Sequence, residues 1–216
     1  MIKAVLWDFG GVLTTSPFEA FAGYEKKNHL PKDFIRSINA TNPDSNAWAL
    51  FESSQVSIDE FDALFQKEST LRGHKVPGKD VLALLSGEIR PAMVQALRMI
   101  KKHYQVGCIT NNVKSGQGPG MSKSENKAQQ VAAVMALFDT VIESSVLGIR
   151  KPNPEIYQIA CTQMAVDPAQ ALFIDDLGIN LKPARAMGMA TIKVLNQEQA
   201  INDLEQQLQL DLRSSG

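Results

Sequence analysis

The residues best suited to chemistry follow apolar runs, and most of them are acidic. Asp8 follows the apolar segment 3–7, and two glycines come after Phe9. Asp175 ends the apolar segment 171–175, and Asp176 follows it. If these runs are strands of an open parallel sheet, their carboxyl ends are where ligands gather. Carboxylates packed together there repel one another unless a cation shares them, and hard oxygen ligands favour Mg²⁺. The sequence therefore predicts an acidic site at one edge of a sheet.

Three more polar residues fall at the same predicted edge. Thr110 ends the apolar segment 105–110 and Asn111 follows it, and Lys151 lies just before a helix-like segment. Singly, each has an ordinary structural explanation: a lysine before a proline is usually a solvated surface charge, and paired aspartates often cap a helix. The joint occurrence of all these residues, in this order, favours a functional site instead.

Short apolar segments alternate with amphipathic ones over most of the chain. Several of the apolar segments are rich in Val, Ile or Phe and predict strands over 3–7, 105–110, 139–144, 171–175 and 190–194. The amphipathic segments predict helices over 90–104, 124–138, 153–165, 180–189 and 196–210, with Pro91 and Pro154 suited to first turns. The alternation predicts an α/β fold, a Rossmann-like parallel sheet with helices on both faces. The Gly- and Ser-rich stretch 114–125 predicts a loop.

Residues 17–88 break this alternation, because only helical patterns occur there. One of them opens with Ser57 and Glu60 at the spacing of a capping box. The sequence therefore predicts an all-helical domain over 17–88, inserted after the first strand. The α/β core domain would then comprise 1–16 and 89–216.

Composition and charge argue against several classes of binding partner. The 216 residues carry a formal net charge of −1, so there is no electrostatic case for binding nucleic acid or an anionic membrane. No apolar run approaches the ~18–20 residues of a membrane span, and the start of the chain does not resemble a signal peptide. Cys108 and Cys161 lie far apart within apolar segments. Buried, reduced thiols and a cytoplasmic location are therefore expected.

The order of the candidate residues resembles the haloacid dehalogenase-like (HAD) hydrolase superfamily over nearly the whole chain. Its motifs are a strand-terminal Asp with a tight turn, a strand-terminal Ser or Thr, a Lys, and a strand-terminal acidic pair. Here they read WDFGGVL, CITNN, RKPNPEIY and FIDDLGINLKPARAMGM. The last two blocks look most like the amino-terminal phosphatase domain of soluble epoxide hydrolases and related bacterial hydrolases. The resemblance implies a HAD core, with the helical insertion acting as a cap.

The resemblance also implies a Mg²⁺-dependent phosphatase acting on a small phosphorylated metabolite. Asp8 would be the nucleophile that forms an aspartyl-phosphate, and Lys151 would neutralise charge on the phosphoryl group. Thr110 and the backbone N–H of Asn111 would hold the phosphoryl oxygens.

The implied metal ligands are the Asp8 carboxylate, the Gly10 carbonyl and the Asp176 carboxylate. Asp175 would bind the ion through water or orient the lysine, and Asn180 would position the acids. The sequence predicts no particular oligomeric state.

One position departs from the family pattern. Phosphatases of the superfamily usually carry Asp-x-Asp, whose second Asp is the general acid and base, whereas this chain has Gly10 two residues after Asp8. General acid–base help is worth about 10²–10⁴ in rate. We therefore expect slow turnover of substrates with poor leaving groups, unless the substrate or the insertion supplies a proton donor. Asp59, Glu60 and His29 are candidates by position alone.

Two alternatives follow from the same departure. A 2-haloacid dehalogenase also lacks a carboxylate at the position of Gly10, but a metal-free dehalogenase has no need of the pair Asp175–Asp176. A non-catalytic phosphate-binding or regulatory module would bind a phosphorylated ligand without turnover.

Overall fold

A five-stranded parallel sheet forms the centre of the protein. The computed structural model describes residues 1–112 and 125–213. The strands are β1 (Ala4–Trp7), β2 (Gln105–Thr110), β3 (Thr140–Glu143), β4 (Ala171–Asp175) and β5 (Ala190–Lys193). They lie in the order β3-β2-β1-β4-β5, and every neighbouring pair is parallel. Each predicted strand agrees with the observed one to within one residue at either end, and the predicted α/β class is confirmed.

Helices cover both faces of the sheet. They are α6 (Pro91–Lys101), α7 (Glu125–Met135), the single turn α8 (Ser144–Leu147), α9 (Pro154–Gln163), α10 (Gly178–Ala186) and α11 (Gln197–Leu208). A short 3₁₀ turn, Pro168–Gln170, precedes β4. Successive side chains of a strand point to opposite faces. Accordingly, Val5 and Trp7 pack in one apolar cluster, and Ala4 and Leu6 pack in the other.

Five helices lie between β1 and α6 along the chain. They are α1 (Pro17–Lys27), α2 (Phe34–Asn39), α3 (Ala47–Glu52), α4 (Ile58–Leu71) and α5 (Gly78–Ala83). They enclose an apolar cluster of their own, in which Phe61 and Phe65 are fully buried. The capping box of Ser57 and Glu60 is present at the start of α4, as predicted.

The two connections between the sheet and the insertion lie side by side. Thr14 and Ile89 form an isolated antiparallel bridge, and the backbone N–H of Arg90 donates to the carbonyl of Leu13 at 2.8 Å. The insertion therefore leaves and rejoins the sheet at one place, close to the residue that follows β1. The division into a core domain and a cap domain stays a prediction.

Three further sequence predictions have different outcomes. Cys108 and Cys161 are both buried and unpaired, as expected. No helix within the described residues is long and apolar enough to cross a bilayer. The loop predicted over 114–125 falls almost entirely outside the described residues.

Helix α5 was not predicted, and its first residue shows how tightly it packs on α4. A Cβ atom on Gly78 would lie 2.8 Å from the Cα atom of Asp62 and 2.9 Å from the ring of Phe61. Only a residue without a side chain allows this approach. A six-residue helix that begins with Gly after a Pro gives little periodic signal, which is why sequence patterns missed it.

We predict opposite effects for two Gly→Ala substitutions within the insertion. Gly78→Ala should lower the free energy of unfolding by about 1–3 kcal/mol, because the new methyl group has no space. Gly23→Ala, in the exposed interior of α1 with open space around it, should raise it by about 0.5–1 kcal/mol through helix propensity. Urea denaturation followed by circular dichroism measures both. Equal effects would contradict the close packing of α5 on α4.

Candidate active site

The parallel register brings the ends of β1, β2 and β4 to one edge. Trp7 pairs with Cys108 on one side and Ile174 on the other, and the N–H of Asp8 donates to the carbonyl of Ile174 at 2.8 Å. Asp8 therefore follows the central strand next to the carboxyl end of β4, where Asp175 is the last residue.

Three carboxylates meet at this edge. One oxygen from each of Asp8, Asp175 and Asp176 lies within 4.8 Å of the other two. Asp8 and Asp175 are buried, and Asp176 is partly exposed. The structure thus brings together the acids that the sequence placed at two separate strand ends.

Lys151 lies buried between two of the acids. Its Nζ is 2.8 Å from Oδ1 of Asp8 and 2.8 Å from Oδ2 of Asp175, and its side chain is 1% exposed. The Asn111 side chain fixes the lysine backbone: its Oδ1 accepts from the N–H of Lys151 at 2.8 Å, and its Nδ2 donates to the carbonyl at 3.0 Å. The structure therefore excludes the explanation of Lys151 as a solvated surface charge.

Asp175 is held on all sides. Its Oδ1 accepts from the backbone N–H of Leu177 at 2.7 Å, and Nδ2 of Asn180 lies 3.1 and 3.0 Å from its two oxygens. Asn180 is itself positioned, because the Tyr157 hydroxyl donates to its carbonyl at 2.7 Å. With both oxygens engaged, Asp175 orients Lys151 and has little freedom to bind anything else.

Asp8 and Asp176 retain oxygens that are available for a ligand. Oδ1 of Asp8 accepts from the N–H of Phe9 at 2.7 Å and pairs with Lys151, while its Oδ2 has no partner among the described residues. The Ser16 hydroxyl approaches Oδ2 of Asp176 at a long 3.5 Å, and no cation within the described residues pairs with this carboxylate at short range. The carbonyl of Gly10 also accepts no hydrogen bond from the described part of the chain. These three oxygen donors fit a hard divalent cation.

The charges of the cluster do not balance. Three carboxylates and one ammonium leave a formal charge of minus two. Burial raises the pKa of Asp8 well above its ordinary value, and repulsion from Asp175 and Asp176 adds to the effect against the attraction of Lys151. Burial and the charge of Asp175 raise the pKa of Asp176 to about 6. Burial alone would lower the pKa of Lys151, but the two carboxylates outweigh it and raise that pKa.

The turn after β1 depends on Gly11. Its φ is +74°, a conformation that favours glycine, and a Cβ atom there would lie 2.2 Å from Oδ2 of Asp176. Gly10 differs, because a Cβ atom on it would meet nothing within 4 Å. The chain thus needs a glycine at position 11 for close approach, whereas position 10 has room for a side chain.

The phosphoryl-binding residues implied by the resemblance lie at the same edge. Thr110 is the buried last residue of β2. Asn111 follows it, and its side chain serves the lysine loop, a role that the motif did not suggest.

Glu52 was missed by the sequence reasoning. It ends α3 of the insertion, and its Oε2 lies 2.9 Å from Nε of Arg150, although the groups are not aligned for a hydrogen bond. Nδ2 of Asn111 approaches the same oxygen at 3.5 Å, and the Ser144 hydroxyl donates to the Glu52 carbonyl at 3.0 Å. Burial raises the pKa of Glu52, against the attraction of Arg150. This network ties the insertion to the loop that carries Lys151.

The three proton donors suggested by position have surface locations. Asp59 pairs with Lys79 at 2.7 Å with its side chain 86% exposed. The carboxylate of Glu60 is engaged in the capping box. His29 is exposed beyond the C-terminal end of α1.

Comparison with known proteins agrees with this geometry. The model of the haloacid dehalogenase-like hydrolase family matches residues 2–188. The chain belongs to this family. The resemblance inferred from four motifs is therefore confirmed, and the protein is a HAD-family hydrolase.

Several curated proteins are similar to this HAD hydrolase. Bifunctional epoxide hydrolase 2 of Rattus norvegicus is 37% identical over 216 residues, which cover 94% of this chain and 38% of that protein. Acyl-CoA dehydrogenase family member 10 of Mus musculus is 34% identical over 209 residues, covering 94% of this chain and 19% of that protein. The chain thus spans well under half the length of both. Phosphatase MT3486 of Mycobacterium tuberculosis is 30% identical over 200 residues, covering 87% of this chain and 85% of that protein.

Solved structures share the fold. A HAD-family enzyme of Bacteroides thetaiotaomicron, in complex with magnesium and inorganic phosphate, superposes with a TM-score of 0.58. The two chains are 21% identical, and the match covers 89% of this chain and 94% of that one.

The unbalanced charge predicts that Asp176→Asn stabilises the metal-free protein. Because the folded-state pKa of about 6 exceeds the ordinary 3.8, ionising Asp176 costs stability as the pH rises through this interval. The variant should raise the free energy of unfolding at about pH 8 by about 1–2 kcal/mol, less than the full shift implies because the side chain is partly exposed. At about pH 3 the gain should nearly vanish, since the carboxyl group is then protonated in both states.

Urea denaturation in EDTA at both pH values measures this effect. Asp44→Asn, at an exposed position that is not part of the acidic cluster, is the matched control and should change neither value. An Asp176→Asn protein that is less stable than wild type at the higher pH would contradict this account.

Proposed function

We propose that this HAD hydrolase is a Mg²⁺-dependent phosphatase that acts on a small phosphomonoester through an aspartyl-phosphate on Asp8. The observation that carries the proposal is the free Oδ2 of Asp8, held beside a buried ammonium and a second carboxylate. The similarity to a mycobacterial phosphatase over most of both chains supports a phosphoryl substrate. The acidic pair, which a metal-free dehalogenase does not need, also favours this function.

In the proposed reaction Asp8 is the nucleophile. Its carboxylate attacks phosphorus, the P–O bond to the leaving group breaks, and the leaving oxygen takes a proton from water or from the substrate itself. Water then attacks phosphorus, which frees the Asp8 carboxylate and releases inorganic phosphate. Lys151 orients Asp8 through Oδ1 and places a fixed positive charge next to the transferred group. Thr110 and the N–H of Asn111 hold the phosphoryl oxygens.

The residues that would hold Mg²⁺ are Asp8, Asp176 and the carbonyl of Gly10. The ion supplies two positive charges and Lewis acidity towards a phosphoryl oxygen, and those charges equal the formal excess of the cluster. Asp175 would keep Lys151 in place, with Asn180 supporting it. We further propose that the helical insertion acts as the cap over the site and that the protein works in the cytoplasm, as its cysteine usage predicts.

Hydrolysis of p-nitrophenyl phosphate tests the reaction, because its good leaving group needs no general acid. We expect phosphate release that requires Mg²⁺, that EDTA abolishes, and that Asp8→Asn lowers by about 10³-fold or more. Asp44→Asn is the control and should match wild type. Wild type and Asp8→Asn that are equally inert at saturating Mg²⁺ would identify a non-catalytic module. Chloride release from 2-chloropropionate that survives EDTA would identify a dehalogenase.

The missing carboxylate at position 10 gives a second test. We expect kcat/KM to fall steeply as the leaving group becomes more basic, and Gly10→Asp to restore alkyl phosphate hydrolysis by about 10²–10⁴-fold. The open space at Gly10 accommodates the new side chain. Gly10→Asn has nearly the same shape and no acid, so it should not restore the rate. A rate for alkyl phosphates that is already high in wild type, and unchanged in Gly10→Asp, would show that another group is the acid.

A further inference from the structure

A cleft of about 350 Å³ opens beside Asp176, between the insertion and the edge of the sheet. The insertion contributes Phe18 and Arg36 to its wall, and the sheet side contributes Arg90 and Lys193. Three cations thus surround the cleft, and the described residues that line it include a single carboxylate, Asp176.

Arg90 differs from the other two cations because part of its guanidinium is buried without a partner. Nη1 of its guanidinium is buried without a hydrogen-bond partner, and the side chain forms no ion pair with any residue in 1–112 or 125–213. A buried donor without a partner costs about 1–3 kcal/mol. The backbone of Arg90 is held to Leu13, next to the bridge between the two connections, so the position of its Cα is set by the fold.

Arg36 and Lys193 approach from two other elements. The Arg36 guanidinium lies 4.3 Å from the centroid of the Phe18 ring, and its nearest carboxylate is the exposed Asp33, at 3.7 Å. Lys193 ends β5 opposite Asp175, yet its ammonium pairs with no carboxylate among the described residues. Both charges are therefore available to a ligand in the cleft.

The single acid of the cleft belongs to the proposed reaction. If Asp176 binds Mg²⁺, its charge is committed there, and the three cations then have no counter-charge within the cleft. Planar guanidinium groups and an ammonium suit carboxylate and phosphate groups. The ring of Phe18 and the exposed side chain of Leu195 add apolar surface to the same wall.

We propose that this cleft binds a second anionic group, a carboxylate or a phosphate, carried by the leaving group of the phosphomonoester that reacts at Asp8. The proposal rests on the proposed phosphatase function. The cleft and the reaction centre share Asp176, so one substrate reaches both. The apolar wall then faces the carbon chain between its two anionic ends.

Binding to the Asp8→Asn protein tests the cleft without turnover. Calorimetry in Mg²⁺ compares ω-carboxyalkyl phosphates of increasing chain length with alkyl phosphates of the same lengths, and α,ω-alkanediol bisphosphates form a third arm. We expect at least one chain length at which the second anion tightens binding about tenfold, corresponding to about 1.4 kcal/mol. A preference for only the carboxyalkyl phosphates or only the bisphosphates identifies which anionic group the cleft selects.

Added substitutions connect that preference to the cleft. Arg36→Gln with Lys193→Met, in the Asp8→Asn background, should reduce the preference to about one. Lys75→Met, at an exposed lysine outside the cleft, should leave it unchanged. Three outcomes overturn the proposal. They are equal affinity at every length for compounds with and without the second anionic group, a preference that survives the double substitution, and no binding of any compound.

Turnover by the wild-type protein separates this proposal from the phosphatase. Phosphate release without a binding preference overturns the cleft and leaves the phosphatase standing. A binding preference that the double substitution removes, without any phosphate release, overturns the phosphatase and leaves the cleft standing.

Discussion

One buried ammonium group determines the arrangement of the whole site. Removing the Lys151 ammonium from water is unfavourable unless oppositely charged partners offset the lost hydration. Two carboxylates lie 2.8 Å from its Nζ. Those carboxylates come from the ends of β1 and β4, and the lysine comes from the loop before α9. The charge is satisfied only when all three segments meet, so the site and the centre of the sheet form together. Asn111 holds the lysine backbone and Asn180 holds Asp175, which leaves Asp8 as the member with a free oxygen.

The third carboxylate works against this balance. Asp176 adds a negative charge that no described residue neutralises at short range. Burial is the main cause of the raised pKa values of Asp8 and Asp176, and repulsion among the three carboxylates adds to it. The chain nevertheless brings it close, because Gly11 leaves no side chain between the turn and Asp176. Acidic groups that lower the stability of the fold but have oxygens free to bind a ligand are typical of a functional site. A divalent cation would remove that cost and complete the charge balance.

Much of the sheet and part of the site could be predicted because their signals are local. Each strand is a short apolar run, and the capping box of α4 is encoded within four residues. The acids and Lys151 could be named because each follows or precedes such an element, in the order of a known family. By contrast, two features depend on how the insertion packs against the sheet. One is the pairing of Glu52 with Arg150, and the other is the convergence of Arg36, Arg90 and Lys193. No short sequence pattern carries that information, and α5 escaped because six residues around a Pro-Gly step give no periodicity.

The cationic cleft also bears on the missing acid at position 10. An enzyme can use binding energy from a part of the substrate that does not react to orient the part that does. A second anion held by Arg36, Arg90 and Lys193 would align the leaving oxygen and restrict its motion, and either effect lowers the barrier without a proton donor. On this view Gly10 narrows the range of substrates that react quickly and does not abolish catalysis. If the proposal holds, substrates that fill the cleft would recover part of the rate lost with the second carboxylate, whereas small phosphate esters without a second anion would depend on the acidity of their own leaving groups.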